Sequence, residues 1–263
     1  WGHPVSTGIP NIDYYISSRD LEVDTGDEHY SETLARLNNP PTYYYRPEIP
    51  KGTTTPSAHG LPADAHIYLC PQTLFKFHPN FDAILGEILE NDRLGHLLLI
   101  SGRYKSKETL LLERFKKTFP DVIDRVSFLP RMQKDDFLRV IQMSHVVLDP
   151  ICFSGGNSTA ETLAMGVPIV TWPDKYLRDR VTYSFFKTMG IDELIANSAK
   201  DYVALANRLA NDKEFHAEMS GLISQRAGKF FENMDTVREL ERFMIAAIEA
   251  EQKGDGHISW NEP

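Results

Sequence analysis

Short apolar runs alternate with amphipathic segments along the chain from about residue 65 onward. Five apolar runs predict strands at residues 66–70, 96–100, 126–129, 145–149 and 168–172. Between the runs, apolar residues at three-and-four spacing predict helices at 81–89, 107–119, 135–143 and 158–165. Repeated βα units of this length predict an α/β fold, a Rossmann-like doubly wound parallel sheet with helices on both faces.

The pattern beyond residue 175 is helical. Apolar spacing predicts helices at 200–211 and 214–227 and a long helix at 235–251. The last residues, 254–263, offer few apolar side chains for burial. We therefore expect this tail to fray.

The first part of the chain has a different pattern. It predicts a strand at 11–16, a helix at 28–37 and a short strand at 43–45, and a Thr-, Pro- and Gly-rich linker at 47–62. One or two strands cannot form a full sheet, so we interpret residues 1–57 as the end of a preceding domain with its linker. Residues 58–230 then form the Rossmann-like domain, and 231–263 form a C-terminal helix and tail. Because the chain starts with Trp1 rather than Met, we expect a fragment of a longer protein.

Composition narrows the classes of protein to consider. With 263 residues, of which 41% are hydrophobic, the chain can bury a sizeable core. A net charge of -9 argues against a nucleic-acid partner. No apolar stretch approaches a membrane span, and residues 1–4 lack the start of a signal peptide. Cys70 and Cys152 each lie beside an apolar run, which suggests buried thiols in a reducing, cytoplasmic compartment.

A glycine-rich turn follows the predicted strand at 145–149 and leads into the predicted helix at 158–165. Its residues Gly155, Gly156, Asn157 and Ser158 place free backbone N–H groups at the positive end of a helix dipole, which suits a phosphate. Glu161, in the first helical turn, suits a ribose hydroxyl. The alternative is a capping box, in which Ser158 and Glu161 satisfy backbone donors and bind nothing. Neither the dinucleotide fingerprint nor a P-loop lysine is present.

Two other loops follow predicted strands and can converge on the same crevice. One spans 71–76 and contains Thr73 and Lys76, and Lys76 could reach a phosphate or remain a solvated surface charge. The other contains Lys134 and leads to Phe137, whose ring could stack on a base or belong to the core.

The remaining candidates for chemistry are weaker. His3 lies in a loop bounded by Gly and Pro, where a substrate-facing base could lie, but the sequence identifies no partner for it. The other histidines have no metal-ligand spacing, so we expect no metal site. Ser154 is not part of a G-x-S-x-G elbow, which argues against a hydrolase triad.

Several of these motifs, in this order and spacing, resemble the catalytic region of O-GlcNAc transferases and SPINDLY-type proteins. They are GHPVSTG at 2–8, IDY at 12–14, LFK at 74–76, Lys134, SGGNSTAE at 154–161 and GVPIVT at 166–171. The motifs also resemble those of bacterial SPINDLY-like proteins that carry tetratricopeptide repeats.

The resemblance implies a GT-B glycosyltransferase, with two Rossmann-like lobes and no essential metal or other cofactor. This chain would be the C-terminal lobe, which holds the nucleotide-sugar donor, plus the end of the N-terminal lobe. The rest of that lobe, its catalytic histidines and a possible repeat domain would be missing, so the fragment should bind better than it turns over. The implied reaction is inverting transfer of a sugar, GlcNAc-like, to Ser or Thr of a protein acceptor.

The resemblance also implies roles for individual residues. Lys76 matches a lysine that contacts the donor diphosphate, and residues 156–158 match a His-Thr-Thr helix start that holds it. Glu161 matches a ribose-binding aspartate, Lys134 a nucleoside-contacting lysine, and Phe137 a base-stacking histidine. Gly156 and Asn157 cannot reproduce an imidazole and a hydroxyl, although their N–H groups would still serve.

These departures leave the donor open among UDP-GlcNAc, UDP-glucose and GDP-fucose. Two other readings also stay open. One is a GT-B enzyme that glycosylates a glycan or a small molecule. The other is a non-catalytic module that only binds nucleotide or only packs within a larger protein.

Overall fold

A two-stranded parallel sheet opens the computed structural model, which describes residues 4–260. Strand β1 (Tyr14–Ser18) pairs in register with β2 (Thr33–Leu37). The predicted strand at 11–16 is thus confirmed with a shifted boundary, but the predicted helix at 28–37 is wrong. Only a short 3-10 turn, Gly26–His29, is helical there. Ala35 and Leu37 lie on one face of β2 and are fully buried, because pairing with a distant strand overrides local helical spacing.

The segment after β2 is irregular, so the predicted strand at 43–45 is also wrong. Tyr44 alone of these residues is packed inward, with its ring 5.4 Å from the ring of Phe230. Tyr45 is 78% exposed. The Tyr44 carbonyl accepts the backbone N–H of Glu232 at 2.9 Å, which ties this segment to the C-terminal part of the protein.

Five parallel strands form the main sheet, in the spatial order β5-β4-β3-β6-β7. Their bounds are β3 (His66–Cys70), β4 (Gly95–Ile100), β5 (Val126–Leu129), β6 (Val146–Leu148) and β7 (Ile169–Val170). All five predicted strands are confirmed. The central strands are almost continuously apolar because helices cover both faces of the sheet. The α/β, Rossmann-like prediction is therefore confirmed.

Helices connect and cover these strands. They are α1 (Pro79–Asn91), α2 (Lys105–Thr118), α3 (Lys134–Met143), α4 (Asn157–Ala164), α5 (Val181–Met189), α6 (Ala199–Asn211), α7 (Lys213–Arg226) and α8 (Met234–Lys253). Each predicted helix beyond residue 65 is confirmed to within a few residues, and α5 is an additional one. No helix within residues 4–260 is long and apolar enough to cross a bilayer.

Helix α8 packs across the small N-terminal sheet rather than on the main one. Phe243 makes an edge-to-face contact with Tyr14 of β1, at 5.2 Å between ring centroids. The Trp260 ring also packs against Phe243, at 5.5 Å between ring centroids, and Trp260 is only 9% exposed. The indole N–H of Trp260 also donates to Glu239 at 3.3 Å. The tail is therefore anchored at Trp260, against the expectation that it frays, although residues 254–257 are exposed as that expectation implies.

The order of the strands determines where a ligand can bind. The first strand of the main sheet, β3, lies at its centre, with β4 on one side and β6 on the other. The connections leaving β3 and β6 therefore turn in opposite directions and open a crevice at the carboxyl ends of these strands.

Candidate functional site

The loops after β3 and β6 meet at this crevice, as the sequence predicts. The first carries Gln72 and Lys76, and the second runs from Asp149 to Gly156. Lys76 bridges the two, because its Nζ donates to the backbone carbonyl of Ser154 at 2.7 Å and to Gln72 Oε1 at 3.0 Å.

The ammonium group of Lys76 is partly withdrawn from solvent. Its Nζ lies 4.5 Å from the centre of the Phe153 ring, a cation–π contact. Burial lowers the pKa of Lys76, and the negative charge of Asp149 opposes that shift. No carboxylate in residues 4–260 forms an ion pair with Lys76, so its positive charge is not neutralised by direct contact.

Asp149 fixes the shape of the second loop. This carboxylate is buried and accepts three hydrogen bonds, from Ser154 Oγ at 2.7 Å, Thr171 Oγ1 at 2.8 Å and the N–H of Gly155 at 2.7 Å. Burial raises its pKa, and these hydrogen bonds oppose the rise because they favour the charged form. The loop that carries the candidate phosphate-binding residues is therefore held by a buried carboxylate that accepts three hydrogen bonds.

Gly155 lies where no side chain fits. A Cβ atom at this position would lie 2.6 Å from Gln72 Nε2 and even closer to Thr159 Oγ1. The close approach lets Gln72 Nε2 donate to Ser158 Oγ across the crevice. Gln72 therefore links Lys76 on one loop to Ser158 at the start of α4.

Helix α4 begins at Asn157 with Gly156 as its N-cap, and no side chain caps it. The capping-box alternative for Ser158 and Glu161 is therefore wrong, because Ser158 is the second residue of the helix rather than its cap. The first helical hydrogen bond runs from the N–H of Ala160 to the carbonyl of Gly156 at 3.0 Å. The N–H groups before Ala160 have no helical acceptor, and they carry the positive end of the helix dipole.

Asn157 connects this helix start to the N-terminal part of the chain. Its Oδ1 accepts a hydrogen bond from Tyr44 Oη at 2.8 Å. The exposed side chain of Asn157 thus lies at the crevice with its carbonyl group already engaged.

The structure places Lys134 and Glu161 close enough to interact. Burial raises the pKa of Glu161, and the positive charge of Lys134 opposes that rise. Lys134 is exposed at the first turn of α3, whereas Glu161 is half-buried. Phe137 is also half-buried and packs against the main core, which agrees with the core reading of this residue. Whether its ring also stacks on a base stays a prediction.

Thr73 lies in the loop after β3, is exposed, and lines a cavity of about 380 Å³ next to the crevice. Its side chain does not cap the 3-10 turn Leu74–Lys76 that follows. Its backbone carbonyl accepts the N–H of Lys76 at 3.0 Å, so Thr73 lies next to Lys76, and a contact between Thr73 and the donor stays a prediction.

Three further predictions concern residues away from this cluster. His3 lies outside the described residues 4–260. Both cysteines are unpaired; Cys70 is buried as expected, but Cys152 is partly exposed, so that expectation holds only for Cys70. Within the described part of the chain, no group of three His, Cys, Asp or Glu side chains could hold a metal ion.

Sequence reasoning missed three residues that build the site. Gln72 and Asp149 lie in loops that the pattern identifies, but nothing local shows that they hydrogen-bond across the crevice. Tyr44 is more than 100 residues from its partner in sequence. Polar residues at the carboxyl ends of strands are the one signal that could have pointed to Gln72 and Asp149.

The arrangement suits a ligand with concentrated negative charge. A desolvated ammonium and a helix N-terminus lie on two sides of one crevice, and both favour an anion. A carboxylate that could accept ribose hydroxyls lies one helical turn further along α4. This combination is chemically suited to a nucleoside diphosphate.

Comparisons with known proteins place the chain in a family. The sequence model of glycosyl transferase family 41 matches residues 7–234. A probable UDP-N-acetylglucosamine–peptide N-acetylglucosaminyltransferase SPINDLY from Solanum lycopersicum is 28% identical over 80% of this chain and 23% of that protein. A UDP-N-acetylglucosamine–peptide N-acetylglucosaminyltransferase from Caenorhabditis elegans is 30% identical over 65% of this chain and 15% of that protein.

The fold also matches a solved structure. A mutant O-GlcNAc transferase from Thermobaculum terrenum superposes with a TM-score of 0.79 at 23% identity, over 91% of this chain and 46% of that one. The chain therefore has the fold of one part of a GT-B glycosyltransferase. It spans about a quarter or less of the length of the two curated relatives named above.

Proposed function

The chain belongs to glycosyl transferase family 41, and from this premise we propose that its main sheet forms the donor-binding lobe of a nucleotide-sugar-dependent glycosyltransferase. The diphosphate of the donor binds between Lys76 and the start of α4. The sugar is transferred, with inversion, to a Ser or Thr hydroxyl of a protein.

One observation carries this proposal. The Lys76 ammonium lies 2.7 Å from the Ser154 carbonyl, directly before an uncapped helix N-terminus, and has no ion-pair partner within residues 4–260. Burying a cation without a counter-charge is unfavourable. A diphosphate would supply that counter-charge and accept hydrogen bonds from Lys76 and from the free N–H groups of α4.

The same contacts give the lobe a role in the reaction. Negative charge grows on the diphosphate as the bond to the sugar breaks. Donors that are already in place for that charge stabilise the transition state more than the ground state. Asp149 acts indirectly, because it holds the loop that positions Ser154 and Gly155.

The nucleoside would lie toward α3. In this proposal Glu161 accepts hydrogen bonds from the ribose, Lys134 contacts the nucleoside, and the Phe137 ring packs on the base. UDP-N-acetylglucosamine is the donor that we propose, because the similar proteins are named for it. A GDP-sugar is the outcome that would revise this choice.

Protein as the acceptor and the absence of a metal cofactor are parts of the same proposal. The acceptor follows from the names of the relatives, which are peptide transferases. A metal is unnecessary in this scheme because Lys76 and the α4 dipole supply the positive charge at the diphosphate. The activity belongs to the full-length protein, in which a second lobe would complete the cleft.

Calorimetric titration of the chain with UDP and with GDP tests the proposal. We expect one nucleotide to bind and Lys76→Ala and Glu161→Ala each to weaken it, by roughly tenfold for a charged hydrogen-bonding partner. Lys213→Ala is the matched control, because Lys213 is exposed on α7. No binding of either nucleotide to a folded protein would instead favour a non-catalytic module.

A transfer assay with the full-length protein tests the acceptor. We expect label from UDP-N-acetylglucosamine to appear on Ser or Thr of peptides. Label on a glycan or a small molecule but on no peptide would overturn the peptide acceptor and keep the glycosyltransferase.

A further inference from the structure

A second opening lies beside the donor crevice, at the carboxyl ends of β3, β4 and β5. It is the cavity of about 380 Å³ that Thr73 lines. Three positively charged residues line it: Arg103 from the β4–α2 connection, Lys107 from the first turn of α2 and Arg131 from the loop after β5. The residues that line it include no Asp or Glu.

These three charges are not compensated within the protein. The side chains of Arg103, Lys107 and Arg131 are exposed, and none forms an ion pair or a hydrogen bond with another residue of the described chain. The acidic residue nearest to Lys107 in sequence, Glu108, is buried and pairs with Lys105 at 2.6 Å. The opening is therefore locally positive on a chain whose net charge is -9.

Two exposed aromatic rings accompany the charges. Phe75 is 64% exposed and Tyr104 is 58% exposed. Lys107 Nζ lies 5.9 Å from the centre of the Phe75 ring, and the Arg103 guanidinium lies 5.7 Å from that of Tyr104. Aromatic residues and Arg are enriched in protein–protein interfaces, so these exposed rings and guanidinium groups suit a polypeptide partner.

The cavity adjoins the donor site directly. Gln72 lines it and also accepts the hydrogen bond from Lys76 Nζ. Only the Gln72 side chain therefore lies between a group bound in the cavity and the Lys76 ammonium, which we assign to the donor diphosphate. The diphosphate itself is assigned to the other side of Gln72, toward α4, so the cavity remains for the acceptor.

We propose that this cavity, lined by Arg103, Lys107 and Arg131, binds Asp or Glu side chains that flank the acceptor Ser or Thr of a polypeptide. This inference rests on the proposed function and adds the chemical class of its acceptor. Because the chain as a whole is acidic, an acidic polypeptide is repelled elsewhere and attracted here, which orients its approach.

Two labelled peptides that differ only in charge test the inference. Both carry one Ser and the same neighbours, with Asp and Glu in one and Asn and Gln in the other. Fluorescence anisotropy measures binding to the 263-residue chain, and a transfer assay measures KM with the full-length protein. We expect about fivefold tighter binding and a similarly lower KM for the acidic peptide, with the difference shrinking as salt rises.

Substitutions at the cavity locate the effect. Arg103→Gln, Lys107→Gln and Arg131→Gln combined should remove the preference for the acidic peptide and leave UDP affinity unchanged. Lys117→Gln, at an exposed lysine in the last turn of α2, is the control and should keep the preference. Arg103→Glu, Lys107→Glu and Arg131→Glu combined should reverse it, so that a peptide flanked by Lys binds better than the acidic one.

The outcomes separate this inference from the proposed function. Equal binding and equal KM for the two peptides, or a preference that survives the triple substitution, would overturn the inference while transfer to peptide stands. Acid-dependent binding that the triple substitution removes, without any transfer, would support the cavity as an acidic-polypeptide site and overturn the proposed reaction.

Discussion

Lys76 donates to the backbone carbonyl of Ser154 across 2.7 Å, and this bond joins the loop after β3 to the loop after β6. The two loops belong to adjacent strands that lead away in opposite directions. Together with the bond from Gln72 to Ser158, the Lys76 side chain thus joins the two sides of the crevice, and it brings a cation to the start of α4. Its structural and chemical roles can be separated by substitution.

Lys76→Met should reduce activity far more than stability. Methionine keeps approximately the length of the side chain but removes the ammonium group. Burial already lowers the pKa of that group. We expect kcat of the full-length protein to fall by about 10²- to 10³-fold, as for the loss of one preorganised donor at developing charge. The melting temperature should fall only slightly, because the loss of the hydrogen bonds to Ser154 and Gln72 is partly offset by removal of a partly desolvated cation.

Lys213→Met is the control for this substitution and should change neither quantity. Full activity of Lys76→Met would exclude Lys76 from the reaction. If the melting temperature fell strongly and activity fell only in proportion to the loss of folded protein, the role of Lys76 would be structural.

Acid should destabilise the protein through His145, at the amino end of β6. Burial, with smaller repulsion from His66 and His216, lowers the pKa of His145 to about 4, against 6.5 when exposed. Its Nδ1 accepts the N–H of Ile67 at 3.0 Å, so the folded state needs the neutral ring. Below pH 6.5 the unfolded chain therefore binds a proton that the folded chain does not, and stability falls down to about pH 4.

Thermal unfolding from pH 7.5 to 4 measures this effect. His145→Asn keeps an acceptor near Ile67 but cannot be protonated, and its melting temperature should fall less steeply between pH 6.5 and 4. His78→Asn is the control, because the exposed His78 also accepts a backbone N–H, that of Asn80. If the melting temperatures of wild type and His145→Asn fell in parallel with pH, His145 would not be the source of the acid destabilisation.

The main sheet and the meeting of its loops could be predicted from sequence because both depend on local signals. Val146, Val147 and Leu148 are buried on both faces and form an uninterrupted apolar run. Once the strands are parallel, their carboxyl ends share one edge, so Lys76 and the loop at 154–158 must lie near each other.

The errors concern contacts between residues that are distant in sequence. Residues 33–37 have spacing compatible with a helix, and only pairing with β1 and packing under α8 make them a strand. Trp260 finds its partners, Phe243 and the α8 carboxylate Glu239, only after the chain has folded. The bond from Gln72 to Ser158 spans 86 residues and leaves no local pattern.

Trp260→Ala should destabilise the packing of α8 on the N-terminal sheet. The indole is almost completely buried against Phe243 and donates to Glu239. We expect a loss of about 3 kcal/mol in the free energy of unfolding, measured with urea. Ile248→Ala is the control, because Ile248 is 59% exposed on the same helix and should change stability by about 0.5 kcal/mol at most.

Removal of divalent metal should not affect transfer. If Lys76 and the free N–H groups of α4 neutralise the diphosphate, a cation such as Mg²⁺ is not needed. We therefore expect the full-length protein to transfer sugar at the same rate in EDTA as in Mg²⁺ or Mn²⁺. Loss of activity in EDTA that added metal restores would contradict this, and metal would then enter at the diphosphate.

Gly155→Ala tests the close approach that brings Gln72 to Ser158. The added Cβ would lie 2.6 Å from Gln72 Nε2 and closer still to Thr159 Oγ1, so one of the two loops must move. We expect a destabilisation of about 1–3 kcal/mol, as for overpacking in a buried site, and weaker binding of UDP because the start of α4 shifts relative to Lys76.

Gly221→Ala is the matched control for Gly155→Ala. Gly221 lies in α7, and a Cβ atom there would meet nothing within 4 Å. Alanine should stabilise that helix by about 0.5–1 kcal/mol and leave UDP affinity unchanged. If Gly155→Ala bound UDP as tightly as Gly221→Ala in calorimetry, the donor would not depend on the register of the two loops. The diphosphate would then have to bind elsewhere than between Lys76 and the start of α4.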